Sequence, residues 1–363
     1  MVAKQALAMG CFSPGATLEP GVIRLDSNEN PLGPSPLAIE AMRRELSNLN
    51  LYPDHDCKEL RNRLAGFHGL LPEQILVTAG STAMISILCR TLLGPGLNAV
   101  TSEKSFIVYR MAARATGADL IETPTSNEGF DLQAILRVVD DQTRIVFLAN
   151  PNNPTGTLLD AGELDVFLSR IPAHAVVVLD EAYFDYAAYF GQQRRIEYSR
   201  ALTYVRQGAN VMVLRTFSKA HGLAGLRVGY GMGPAELMSH CANMQDAYSV
   251  SSIAMTAALA ALDDVDHIER SVSHNAEQAQ KLSAGLSQLG FKVAPTWANF
   301  LYCEIREDAA HFSHRLREEG VSVRPLAAWG APQSIRLSVG TEQQNDAVLH
   351  AMNRVGRRSR MSK

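Results

Sequence analysis

Short, unbroken apolar runs recur along the chain, each closed by small, polar or turn-forming residues. Ile75-Leu76-Val77-Thr78, Ile145-Val146-Phe147-Leu148-Ala149, Ala175-Val176-Val177-Val178-Leu179 and Val211-Met212-Val213-Leu214 are rich in β-branched residues and too short for buried helices. They predict strands buried on both faces. Before the first of them the apolar residues fall at helical spacing, over about 36–49 and 57–68, and after it again at Met84, Ile85, Leu88 and Leu92. Strands alternating with helices predict an α/β fold with a mostly parallel sheet sandwiched by helices. Further on, a helical pattern over about 267–289 stops at Gly290, a normal C-terminal signal. Strands over 299–305 and 321–324, and the alternating run Ile335-Arg336-Leu337-Ser338-Val339, predict a second, smaller α/β unit with Arg336 opposite its apolar neighbours.

Composition narrows the class. With 363 residues, 46% hydrophobic and 20% charged, the chain has length for a large core and for two domains. A net charge of −3 gives no electrostatic case for nucleic acid or an anionic membrane surface. Residues 1–10 lack the sustained apolar core of a secretory signal, and no run reaches membrane-spanning length. The five cysteines are scattered without CxxC or His-rich spacing, so reduced thiols, no metal site and a cytoplasmic location are expected. The basic tail, 357–363, is expected to lack structure.

The candidate chemistry gathers where the predicted strands end. Lys219 lies just past the run 211–214, between hydroxyls and glycines, in Thr216-Phe217-Ser218-Lys219-Ala220-His221-Gly222-Leu223-Ala224-Gly225-Leu226-Arg227. Open α/β folds place ligands at such carboxyl ends. A lysine that forms an imine with a carbonyl cofactor needs this seat, rigid and partly desolvated so that the neutral amine is accessible. Asp180 closes another apolar strand, where a carboxylate is costly unless a cation pairs with it. Gly80-Ser81-Thr82, between a strand and a helix, offers an anion seat of backbone N–H groups and hydroxyls. Asn150-Pro151-Asn152-Asn153-Pro154-Thr155-Gly156 brackets two asparagines with prolines and so aims an amide. Each stretch also has a plain reading: a surface lysine in a Gly-rich loop, a helix-capping aspartate, an ordinary capped helix, a turn at Asn28-Glu29-Asn30-Pro31, a helix-start turn at Tyr52-Pro53-Asp54, a core aromatic at Phe106.

Taken together, these motifs resemble, in order from Asn28 to Arg336, the fold-type I aminotransferases that use pyridoxal 5′-phosphate. The T-F-S-K-x-x-G-L-A-G-L-R-V-G segment is closest to the histidinol-phosphate aminotransferase branch. The resemblance implies a large cofactor-binding domain at 46–250 and a discontinuous small domain, with an N-terminal arm, from 1–45 and 251–363. It implies that Lys219 carries the cofactor, that Asp180 pairs with its ring nitrogen, and that Asn153 and Tyr183 bond its phenolic oxygen. Gly80, Ser81, Thr82, Thr216, Ser218 and Arg227 would hold the phosphate, and Phe106 would stack on the ring. Tyr52 would reach the phosphate of a partner subunit, making a homodimer. Asn28, Asn153, Arg324 and Arg336 would meet the substrate, a small amino donor or a 2-oxo acid.

Three positions depart from the family pattern, and the last of them tempers the substrate reading. Ala83 stands where an acidic residue is frequent, and Phe106 where a tyrosine is. Near the N-terminus the branch commonly has Pro-Tyr before Pro-Gly, the tyrosine holding the substrate phosphate; here the stretch is Cys11-Phe12-Ser13-Pro14-Gly15. Transamination of histidinol phosphate with 2-oxoglutarate leads. An aromatic amino-acid aminotransferase, favoured by an apolar mouth, and a same-fold lyase or decarboxylase, such as a threonine-phosphate decarboxylase, are the alternatives. A cofactor-sensing regulator would need a further domain, for which the chain has no spare length.

Overall fold

A computed structural model describes residues 21–361, with side chains through Gly356. In chain order its strands are β1 (Ile23–Arg24), β2 (Ile75–Thr78), β3 (Asn98–Ser102), β4 (Asp119–Thr123), β5 (Thr125–Ser126), β6 (Gly129–Phe130), β7 (Thr143–Ala149), β8 (Val176–Asp180), β9 (Val211–Thr216), β10 (Gly229–Met232), β11 (Lys292–Val293), β12 (Phe300–Glu304), β13 (Val321–Ser322), β14 (Arg324–Leu326) and β15 (Ala331–Ser338). Seven of them form the central sheet, in the order β2-β10-β9-β8-β7-β3-β4. Only β10 runs against its neighbours, so the sheet is mostly parallel, as the pattern predicted. Three of the unbroken apolar runs are its middle strands β7, β8 and β9, and the fourth, β2, is an edge strand; every residue of β8 and β9 is buried. Parallel strands covered by helices on both faces have no polar face to show.

This sheet arrangement brings the carboxyl ends of β2, β7, β8 and β9 to one edge, which carries Thr78, Ala149, Asp180 and Thr216. A second sheet, β11-β12-β15-β14, is antiparallel throughout, and β15 brings Arg336 opposite Arg324 of β14. The N-terminal arm is tied to the same unit by the parallel pair β1–β13.

Two main hydrophobic cores follow from this layout. The larger one gathers side chains from Ala38 to Leu262, and the smaller one gathers Leu25 with residues between Ala279 and Val355. The helices Pro36–Glu45 and Ser252–Leu262 lie outside the 46–250 span expected for the large domain. Yet they pack on each other, and Ala38, Ala254, Ala257, Ala258 and Ala261 are buried in the larger core. We therefore propose that the division follows the cores, with both helices on the large side. The tail departs from expectation: the helix Glu342–Met361 runs on through residues 357–361. Among the described residues no helix is long and apolar enough to cross a membrane, and no group of three His, Cys, Asp or Glu side chains could hold a metal. Cys57, Cys89, Cys241 and Cys303 are buried and free of disulfides; Cys11 lies outside the described residues.

Candidate active site

At the carboxyl edge a cavity of about 200 Å³ opens between the two sheets. Its walls include Asn28, Ser81, Thr82, Phe106, Asn153, Asp180, Tyr183, Thr216, Ser218, Lys219, Arg227, Arg324 and Arg336. Thirteen residues singled out from the sequence, spread over some 300 positions, thus meet in one place. Gly80 lies just behind this wall. Tyr52 does not join it: its ring is 83% exposed and packs on Tyr248 at 4.7 Å. The Cys11–Gly15 stretch, with Phe12, lies outside the described residues.

One end of the cavity is built for an anion. The helix Ser81–Leu92 begins there, with Gly80 as its N-cap at φ 84°. A Cβ at Gly80 would sit 2.5 Å from the Arg227 guanidinium, and one at Gly229 would sit 2.7 Å from the Ser81 nitrogen. Only glycines let the arginine and the helix N-terminus converge here. Thr216 and Ser218 add buried hydroxyls 3.0 Å apart, and Arg227 reaches Ser218 Oγ at 3.3 Å. Free N–H groups, hydroxyls and a guanidinium at a helix N-terminus suit a phosphate.

The middle of the cavity holds the reactive groups. Lys219 Nζ donates to the carbonyls of Ser27 and Asn28, both at 3.3 Å, and among the described residues no carboxylate forms an ion pair with it. Burial, with help from the Arg336 and Arg227 guanidinium groups, brings its amine down to about 7. Tyr183 OH accepts from Asn28 Nδ2 at 2.9 Å. Asn28 itself is held at φ 57° by its backbone bond to Ser338 Oγ and by Asn299 Nδ2, which donates to its carbonyl.

Strand alternation separates the two carboxylates of Asp180-Glu181. Glu181, on the far face, is neutralised by Arg215 at 2.8 and 3.0 Å, whose guanidinium covers the Phe184 ring. Asp180 faces the cavity with no cation bonded to it among the described residues, and burial pushes its carboxyl up to about 6. It accepts from Tyr109 OH at 2.7 Å and from the Ala182 nitrogen at 3.2 Å. The sequence reading did not single out Tyr109 as a site residue. Its only signal, a tyrosine three residues beyond Phe106, is indistinguishable from a core aromatic.

Opposite these groups lie two arginines from the small sheet. Arg336 NH1 donates to Asn153 Oδ1 at 2.5 Å and NH2 to the Asp26 carbonyl at 2.8 Å, leaving its buried Nε without a partner. Burial lowers it to about 10. Arg324 is buried beside it, with Nε 3.3 Å from the Asp26 carbonyl. Trp329, unforeseen from the sequence, completes this wall.

A model of the family described as aminotransferase class I and II matches residues 20–352. The chain is a class I and II aminotransferase. This aminotransferase is 42% identical to histidinol-phosphate aminotransferase 2 of Pseudomonas fluorescens over 334 residues, 92% of its own length and 89% of the relative's. It is 39% identical to the histidinol-phosphate aminotransferase of Moorella thermoacetica, covering 92% and 85%. The crystal structure of histidinol-phosphate aminotransferase from Sinorhizobium meliloti with pyridoxal 5′-phosphate superposes with a TM-score of 0.85 at 26% identity, over 93% of this chain and 91% of that one. Aspartate aminotransferase of Thermus thermophilus shares the fold, with a TM-score of 0.84 at 24% identity over 98% and 99%. The expected family, its histidinol-phosphate aminotransferase branch and fold type I are thereby established, and pyridoxal 5′-phosphate is the cofactor.

The cavity fits that cofactor on its own terms. It has an anion seat for the phosphate, an amine kept near neutrality for the carbonyl, a buried carboxylate awaiting a cation for the ring nitrogen, and an unpaired guanidinium nitrogen beyond.

Proposed function

We propose that this aminotransferase moves an amino group from histidinol phosphate to 2-oxoglutarate. The observation that carries the reading is the buried pair Arg324 and Arg336, cross-strand neighbours facing the cavity. Guanidinium groups match carboxylate and phosphate geometry, and two of them suit a donor and an acceptor that each carry an anion away from the reacting carbon. The similarity to named histidinol-phosphate aminotransferases supports the same donor.

Bound pyridoxal phosphate supplies an electron sink that stabilises negative charge at the substrate's amino-bearing carbon. The chain does the rest. Lys219 would hold the cofactor through its amine, and the same amine would move the proton at that carbon. Its lowered affinity for protons suits a base working near neutrality. Asp180 would pair with the ring nitrogen, and Asn153 and Tyr183 would bond the phenolic oxygen. Gly80, through its neighbours' N–H groups, holds the phosphate with Ser81, Thr82, Thr216, Ser218 and Arg227. Phe106 covers the ring. Asn28 and Asn153 orient the substrate beside Arg336 and Arg324. Tyr52, turned outward on its own subunit, completes the phosphate site of a second copy in a homodimer. The buried, unpaired thiols support a cytoplasmic location.

Phe106 and Trp329 on the same wall favour one second reading, an aromatic amino acid as donor. The test is to mix the cofactor-loaded protein with single donors and follow loss of the cofactor's visible absorbance. A higher specificity constant for histidinol phosphate than for phenylalanine is expected, with the 2-oxo product formed stoichiometrically. The reverse order would overturn the donor assignment, and release of carbon dioxide would mark a decarboxylase.

A further inference from the structure

Asp180 has a partner that the roles above do not use. Tyr109 is fully buried at the start of the helix Val108–Ala115, its ring 4.5 Å from that of Phe147 with the planes 5° apart. Phe106, on the cavity wall, meets the same ring edge-on at 5.7 Å. The phenol is thus fixed by stacking on β7 and aimed at Asp180 Oδ2, 2.7 Å away. The Ala182 nitrogen takes the other oxygen.

We propose that Tyr109 is the positioning residue for Asp180, holding its carboxylate ionised and turned toward the cofactor's ring nitrogen. The proposal rests on the reading of Asp180 given above. A hydrogen bond to a carboxylate inside a low-dielectric site stabilises the charged form. Without it, burial and the neighbouring Glu181 push Asp180 toward the neutral acid, against Ala182 N–H and Lys219, which favour the anion. A neutral acid cannot balance a protonated ring nitrogen. Burial keeps the proton on the Tyr109 oxygen, so the phenol remains the donor across the working pH range. The Tyr109–Phe147 stack explains why the chain spends a buried hydroxyl here: the same ring that fills the core sets the direction of the bond.

The test is Tyr109→Phe, which keeps the stacked ring and removes only the hydroxyl. Cofactor affinity, read by fluorescence quenching of the purified protein, should fall about tenfold at neutral pH, as for loss of a bond to a charged group. The acid limb of the affinity–pH profile should move to higher pH. With 1-deazapyridoxal phosphate, whose ring carries carbon in place of nitrogen, the Tyr109→Phe loss should shrink to less than twofold. A Tyr109→Phe protein with unchanged affinity and an unmoved acid limb would overturn the proposal. An equal loss with both cofactors would also overturn it, since packing alone would then explain the effect. If the unaltered protein binds both cofactors equally well, the role given to Asp180 fails and takes this one with it. No substrate enters these measurements, so they stand apart from the donor assignment.

Discussion

Lys219 shows how one side chain's surroundings set its chemistry. Burial and two guanidinium groups lower its pKa to about 7, so the amine is largely neutral above that pH. In the cofactor-free protein, the rate of pyridoxal phosphate capture should therefore fall as pH drops through about 7, which stopped-flow absorbance can follow. The linkage to stability has a definite sign. Between pH 7 and the unfolded value near 10.5 the unfolded chain binds more protons than the folded one, so stability rises with pH across that window. Lys219→Met should accordingly stabilise the cofactor-free protein most below pH 7, with the gain shrinking toward pH 10 in denaturant titrations. Borohydride should fix the cofactor on a peptide containing Lys219, and Lys219→Ala should lose both the visible absorbance and turnover.

The helix Ser81–Leu92 contributes through its first turn. Its N-terminus reaches the anion seat because Gly80 and Gly229 leave room for Arg227 and for the backbone itself. Gly80→Ala forces a left-handed residue to carry a Cβ and displaces the guanidinium. Strain of this kind costs about 1–3 kcal/mol. The change should weaken cofactor binding by at least about tenfold, with inorganic phosphate competing less well for the seat; isothermal titration measures both. β14 and β15 present Arg324 and Arg336 side by side, and in the proposed function they would play the corresponding role for the substrate. Arg336→Ala removes the donor to Asn153 as well as the substrate cation, so it should reduce kcat/KM by two orders of magnitude or more, whereas Arg324→Ala should act mainly on the substrate with the distal anion.

In the whole molecule, the site lies where the carboxyl edge of the central sheet meets the small antiparallel sheet, and in the proposed homodimer a second copy would finish it. Tyr52 is exposed and packs on Tyr248, itself exposed. An exposed aromatic pair of this kind suits burial against a second copy. Tyr52→Phe should weaken cofactor retention by about 1.5–3 kcal/mol, one bond to a charged group. Mixing Tyr52→Phe subunits with Lys219→Ala subunits should restore activity, because one site in each mixed dimer is intact. No recovery on mixing would confine Tyr52 to its own chain.

Much of this was legible before folding. The buried strands show as continuous apolar runs because a parallel sheet covered on both faces leaves no polar side, and the motifs sit at their ends because that is where side chains leave the sheet. So Lys219, Asp180 and the Ser81 helix start stand out by local spacing, whereas the choice of Asn153 over Asn152 came from the family resemblance. Direction and choice were not local. The Gly-Tyr-Gly-Met run of β10 reports burial but not that the strand runs antiparallel. The pair Asp180-Glu181 does not say which carboxylate faces the cavity; Arg215, 34 residues away, decides it by neutralising Glu181. Nothing in the sequence singles out Tyr109, a fully buried core residue, because its second role exists only once β7, β8 and its helix are packed together. The sequence by itself determined the elements and the chemistry each could offer, since these depend on neighbours a few residues away. Only the tertiary structure decided which groups are desolvated and which are paired, because burial and charge are set by residues distant in the chain.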